Sequence, residues 1–206
     1  MEKEIKVKNF PNLRTLYIAS EINGDSLKDF KKDLDLLITA DEEIYRDNLK
    51  NLGDIDKSLV EAYKKNVKYP PIYIDISSCG GSVYHGLAIY DILRQVNSAK
   101  THKLIAKMSG MVASMATIVM LGCDERVANK NTRFLIHPIS TWTAGTIQTV
   151  REDLEETEEL SAMIKSIYTK NTKLTEEKLN EIDAYKKDWW ISADEALEYG
   201  LITKII

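Results

Sequence analysis

The chain has 206 residues, of which 44% are hydrophobic and 29% charged, and its formal net charge is -4. That length fills one hydrophobic core, and that charge argues against a nucleic-acid binder, which carries a basic face. Met1 to Lys8 alternates charged and apolar residues without a signal-peptide core. The longest apolar stretch, Met111 to Gly122, is interrupted by Ser114 and Thr117 and is too short to span a bilayer.

Two cysteines, Cys79 and Cys123, have neither metal-ligand nor disulfide spacing. Both read as small buried hydrophobes, and a cytoplasmic chain with reduced thiols is the simple expectation.

In chain order, Arg14 to Ala19 is a short strand rich in β-formers. Asp25 or Ser26 can cap a helix that presents Leu27, Phe30, Leu34, Leu37 and Ile38 at helical spacing. Residues 39–68 are strongly charged after the first few and predict helical pieces, largely solvated, as a surface elaboration. Tyr69-Pro70-Pro71 stops that segment, and Ile72 to Ile76 alternates as a strand. Cys79-Gly80-Gly81-Ser82 is a tight turn. Gly86 to Asn97 is a helix with Ile89, Leu93 and Val96 on one face, and Lys103 to Lys107 is the next strand. This βαβ order predicts parallel strands joined by a right-handed crossover.

The plan then repeats. Met108 to Val112 leads into an almost wholly apolar helix, Ala113 to Leu121, which should be buried, with Gly122 placed to end it. Glu125 to Ala128 and Arg133 to Ile136 are strand candidates. Pro138 keeps His137 out of helical angles, at a strand end. Thr146 to Lys170 is a long amphipathic helix striped by Ile147, Val150, Leu154, Ile164 and Tyr168, with acidic residues crowding its first half. Thr175 can cap a short helix carrying Leu179 and Ile182. Ser192-Ala193-Asp194-Glu195 is a capping box, Gly200 is a helix stop, and Leu201 to Ile206 is a final strand. The whole reads as a single α/β domain without repeats or linkers.

Three histidines bound the acid–base chemistry. His102 stands among Lys100, Thr101 and Lys103 and reads as solvated, and His85, after the glycine turn, reads as structural. His137 alone is as compatible with a packed, hydrogen-bonded residue as with a base. Ser114 alone fits a helix-start serine. A serine there nevertheless meets free backbone N–H groups and the positive end of the helix dipole, which suits a nucleophile. The surrounding Val112-Ala113-Ser114-Met115-Ala116 is not a G-x-S-x-G elbow, and the chain order Ser, His, Asp is not that of an α/β-hydrolase.

Four blocks carry a resemblance. Ile76-Ser77-Ser78-Cys79-Gly80-Gly81-Ser82-Val83 with Gly86-Leu87-Ala88-Ile89-Tyr90-Asp91, then Gly110 to Ala116, then Arg133-Phe134-Leu135-Ile136-His137-Pro138, then Asp188-Trp189-Trp190-Ile191-Ser192-Ala193 through Ile202, resemble the Clp protease proteolytic subunit (ClpP) family in order and spacing. The match is strong over 70–141 and 188–206 and weaker elsewhere.

The resemblance implies a ClpP/crotonase-type ββα superhelix in which residues 146–170 form a protruding handle helix. It implies a catalytic triad of Ser114 as nucleophile, His137 as general base and then acid, and Asp188 to orient His137. Asp183 is a rival for that last role. It further implies an oxyanion hole made by the backbone N–H groups of Gly81 and Met115, with no metal or organic cofactor. The reaction would be hydrolysis of peptides or unfolded chains through an acyl-enzyme, the core itself acting without ATP. Stacked heptameric rings, a tetradecamer, would enclose it, with substrate bound as an added strand.

Departures are Cys79 for a usual proline, Ser77 for a usual asparagine, Thr203 for a common aspartate, fewer glycines over 139–145, and an insertion at 39–68. The segment before the first strand, where the family carries loops for an AAA+ unfoldase partner, is short. A divergent homologue from a phage or mobile element fits these departures. The alternatives are a non-catalytic or assembly subunit, a crotonase-type acyl-CoA enzyme, a Ser–Lys peptidase of related fold, and a capsid-maturation role for the same chemistry.

Overall fold

The computed structural model describes residues 14–53, 56–66, 69–185 and 188–206, so the alternation read at Met1 to Lys8 lies outside it. The sheet is built from alternation. In β2, Ile72–Ser78, every second residue is buried, and Ile72, Ile74 and Ile76 are inaccessible to solvent. β1, Thr15–Ile18, pairs parallel with one edge of β2, and β3, Leu104–Ala113, with the other. The crossover between β2 and β3 carries α3, Val83–Ala99, which buries Ile89 and Leu93 as its spacing predicts. β4, Glu125–Ala128, and β7, Lys204–Ile205, extend the parallel order to β1-β2-β3-β4-β7.

β3 runs further than expected. The sequence pattern ends the strand at Lys107, yet it continues to Ala113. Its first part pairs with β4, and Met111, Val112 and Ala113 pair with β5, Arg133–Ile136. Gly110, at φ +61°, lies between the two pairings. A glycine that reads as a breaker thus turns a strand from one partner to another. The following helix, α4, Met115–Met120, is correspondingly shorter than Ala113 to Leu121, and all six of its residues are buried. Gly122 does not take a left-handed cap. A Cβ there would stand 2.8 Å from Leu93 Cβ, so close packing requires the glycine.

α1, Gly24–Gly53, is a single 30-residue helix running through much of the predicted elaboration. Its cap is neither Asp25 nor Ser26. The Asn23 side chain accepts from both of their N–H groups, at 3.1 and 3.0 Å. Phe30 and Leu34 enter the core, and Leu27, Leu37 and Ile38 pack partly against it. α2, Lys57–Asn66, returns along α1, with Tyr63 stacked on Tyr45 and accepting from Asn48 at 2.9 Å.

His102 is not solvated: it is 4% exposed, stacked on Tyr69, with Nε2 2.9 Å from Asp41 Oδ2. Arg14 grips the same carboxylate with two bonds, at 2.9 and 2.8 Å. Asp41 lies 61 residues from His102, and Arg14 a further 27 before Asp41, so the lysines flanking His102 in sequence gave no sign of them.

Burial pushes the Asp41 carboxyl up, but the hydrogen bonds and charges of Arg14 and His102 outweigh it and hold the group below its ordinary 3.8. A carboxyl depressed in the folded state contributes stability that is complete above its unfolded pKa and lost as pH falls through the folded one. Asp41→Asn is therefore expected to cost on the order of 3 kcal/mol at neutral pH. Its Tm deficit should close on acidification below about pH 3.8. A deficit that persists unchanged in strong acid would contradict this role for Asp41.

The C-terminal half follows its caps. α5, Ile147–Asn171, starts at Thr146, whose hydroxyl accepts from Thr149 N–H, and α6, Glu176–Ala184, starts at Thr175 in the same way. Residues 147–156 are exposed throughout, with Ile147 at 75%, whereas Leu160 and Tyr168 are buried, so α5 projects from the body by its N-terminal end. β6, Trp189–Ile191, pairs antiparallel with β5. Both halves of the predicted capping box form at α7, Ala193–Glu198, and the final strand is only Lys204–Ile205.

Candidate active site

Ser114 sits at the junction of β3 and α4 with φ 54° and ψ -128°, a left-handed region that disfavours side-chain-bearing residues. It precedes α4 rather than occupying its first turn, and its hydroxyl makes no capping bond. A strand-to-helix elbow therefore forms without G-x-S-x-G. Its N–H donates to Leu135 O at 2.9 Å, tying it to β5.

The glycine pair is pressed against this serine. A Cβ on Gly80 would lie 2.6 Å from both Ala113 O and Ser114 Cβ. Gly81 forms a parallel bridge with Ile22: Ile22 N–H donates to Gly80 O, and Ser82 N–H donates to Ile22 O, each at 2.8 Å. Both bonds use groups flanking Gly81, which leaves its own N–H on the other side of the chain. Cys79, read as buried, is exposed, because it occupies the turn itself rather than the strand before it.

His137 follows β5 directly. Its Nδ1 lies 2.7 Å from Pro138 O. A carbonyl only accepts, so this partner places the ring proton on Nδ1 and leaves the Nε2 lone pair free.

Ser114 and His137 line one cleft of about 190 Å³ together with Gly81 and Met115. Apolar walls come from Ile118, Ile164, Leu179 and Ile182. The space is smaller than a drug-sized ligand site and suits one apolar side chain.

Asp188 is not part of the lining and is exposed. The β5–β6 register, Phe134↔Ile191, Leu135↔Trp190 and Ile136↔Trp189, carried one step further puts Asp188 opposite His137. Among the described residues, no hydrogen bond joins His137 to Ser114 or to Asp188. Asp183 does line the cleft, but it is ion-paired with Lys165, which also donates to Asn180 at 2.9 Å.

Sequence reasoning missed Lys165, and it took Thr117 and Tyr168 only as an interruption and a stripe residue of apolar segments. The one available signal was Thr117, a polar residue inside an otherwise apolar helix.

A serine at a strained elbow, the N-terminus of a helix beside it and a histidine with a free Nε2 form the class of cleft that can carry acyl transfer. The chain belongs to the Clp protease family, whose model matches residues 54–206. The mixed α/β fold is accordingly of the ClpP type. The chain is 34% identical over 137 residues to an ATP-dependent Clp protease proteolytic subunit of Deinococcus radiodurans, covering 66% of this chain and 64% of that protein. It is 33% identical over 138 residues to ATP-dependent Clp protease proteolytic subunit 2 of Pseudomonas aeruginosa, 66% of each. It is 31% identical over 163 residues to the subunit 2 of Treponema pallidum, 75% of this chain and 79% of that protein. The matched part thus spans slightly under two thirds of the first two relatives. Among the described residues, no helix is long and apolar enough to cross a membrane.

Proposed function

We propose that residues 1–206 are the single-domain peptidase core of a Clp-type protease and that Ser114, His137 and Asp188 are its triad. The observation that carries the reading is the strained Ser114 elbow facing the same cleft as His137, Gly81 and Met115. Ser114 Oγ attacks the peptide carbonyl while His137 Nε2 takes its proton, and the N–H groups of Gly81 and Met115 receive the oxyanion. His137 then protonates the leaving amine. A water, deprotonated by His137, releases the acyl group from Ser114. Asp188 takes over the Nδ1–H from Pro138 O in the competent arrangement.

The hydrolysis consumes no nucleotide and no metal or organic cofactor, so ATP enters only through an AAA+ unfoldase partner that would deliver unfolded chains. The substrate binds extended, as an added strand. The exposed end of α5 serves as the handle between two heptameric rings, which enclose the sites of a cytoplasmic tetradecamer.

A non-catalytic or assembly subunit is the second reading, favoured by the hydrogen bond of His137 to Pro138 in place of Asp188. A fluorophosphonate probe with mass-spectrometric mapping separates the two. Modification of Ser114 alone, lost in Ser114→Ala, is expected. Folded wild-type protein that stays unmodified would move the assignment to the second reading.

A further inference from the structure

Thr117 is the one polar side chain in α4, and it is completely buried. A valine of the same shape would serve packing as well, so its hydroxyl calls for an account. Ser114 O accepts from Thr117 N–H at 2.9 Å and from Thr117 Oγ1 at 2.6 Å. A carbonyl oxygen only accepts, so the single hydroxyl proton of Thr117 is committed to it. Tyr168 Oη lies 2.5 Å from Thr117 Oγ1, and Tyr168 must therefore be the donor of that bond. Tyr168 is itself buried on α5, and burial raises its phenol pKa despite the opposing Thr117 bond, so it keeps its proton. Three groups thus line up, Tyr168 O–H to Thr117 O–H to the Ser114 carbonyl.

The Ser114 carbonyl and the Met115 N–H belong to one planar trans peptide, so fixing the direction of the first fixes that of the second. Met115 opens α4, where its N–H has no intrahelical partner, and it lines the cleft. We infer that Thr117 and Tyr168 are positioning residues that hold the Ser114–Met115 peptide so that the Met115 N–H meets the oxyanion, which links the seating of α5 to the nucleophile's elbow. This rests on the peptidase reading above.

The test compares Thr117→Val, Tyr168→Phe, the double variant and Thr117→Ser by Tm and by steady-state cleavage of a short fluorogenic peptide. Each single variant strands one polar partner in a dry site and should lower Tm. The double variant replaces both by apolar groups and should recover Tm. The rate should not recover with it. Thr117→Val and the double variant are expected to lose ~10- to 100-fold in kcat with KM little changed, because a misaimed oxyanion donor acts on the transition state. Thr117→Ser, which keeps the hydroxyl, should restore most of the rate. A double variant with wild-type kcat, or Thr117→Ser as slow as Thr117→Val, overturns the inference. If the wild type itself neither cleaves peptide nor takes the fluorophosphonate, the peptidase reading fails and this inference falls with it. Wild type that is labelled and active, beside variants of unchanged kcat, removes only the inference.

Discussion

Asp188→Asn is expected to fold like the wild type and to lose about 10⁴-fold in kcat, the scale set by removing the orienting carboxylate of a serine triad. Asp188 is exposed, and an Asn of equal shape at an exposed site disturbs stability little. What changes is the partner of His137. An Asn amide can turn its NH₂ toward the ring, which places the imidazole proton on Nε2 and removes the lone pair that deprotonates Ser114 in the proposed mechanism.

The structure sharpens this test, because His137 Nδ1 already has an acceptor in Pro138 O. If that carbonyl were sufficient, Asp188→Asn would be nearly silent. A carbonyl dipole cannot balance the full charge of an imidazolium as a carboxylate can, so the large effect is the expected one. Asp183→Asn is the matched control. It lines the same cleft but is held by Lys165, and its kcat should stay within about threefold of wild type, the scatter ordinary for a residue outside the reacting set. A reversal of the two results would transfer the third triad role to Asp183, and silence of both would leave it with Pro138.

Gly81→Ala carries the second large effect. A Cβ at Gly81 would stand 2.3 Å from Ile22 O and 2.8 Å from Ile22 N, and φ is +148°. Both clashing atoms are backbone, and Ile22 is completely buried, so no side-chain rotation relieves them. The turn must move away from Ile22, breaking the pair of 2.8 Å bonds that position it. Tm is expected to fall by several degrees, in line with a cost of roughly 1–3 kcal/mol for forced backbone strain. In the proposed mechanism the same movement carries the Gly81 N–H away from the developing oxyanion, so kcat should fall about 100-fold or more, beyond what the stability loss accounts for. Measured well below the variant's Tm, a kcat equal to wild type would remove Gly81 from the oxyanion hole.

The features legible in the sequence are those whose cause lies within a few residues. The β2 alternation, the buried face of α3, the placement of His137 by Pro138, and the Ser192–Glu195 box all follow from neighbours in the chain. The misread features have remote causes. β3 continues past Lys107 because β5 awaits its last three residues, and His102 is buried because Asp41 and Arg14 come to it. The Ser114 elbow is held on one side by Leu135 O on another strand, a partner that the residues beside Ser114 do not announce, while Thr117 on the other side is local. The family blocks single out Ser114 and His137, and the structure places both on one cleft. The ion pair of Asp183 with Lys165 and the Tyr168–Thr117 link were not legible in the sequence, because both depend on where α5 and α6 settle.

The length of α1 bears on how the domain assembles. Arg14, at the head of β1, bonds Pro71 O across 57 residues, and β1 itself joins β2 in a parallel pairing that no hairpin can deliver. Docking the edge strand is therefore a long-range closure, of the kind that slows folding. The intervening chain is not a loose coil, however. Its 30-residue α1 helix is about 45 Å of rod, made from local contacts. Closure entropy grows with the number of freely orienting residues, and a helix formed early takes most of them out of the count. Much of what the charge pattern presents as a surface elaboration thus lies within helices, which shortens the freely orienting chain between the first strand and the sheet.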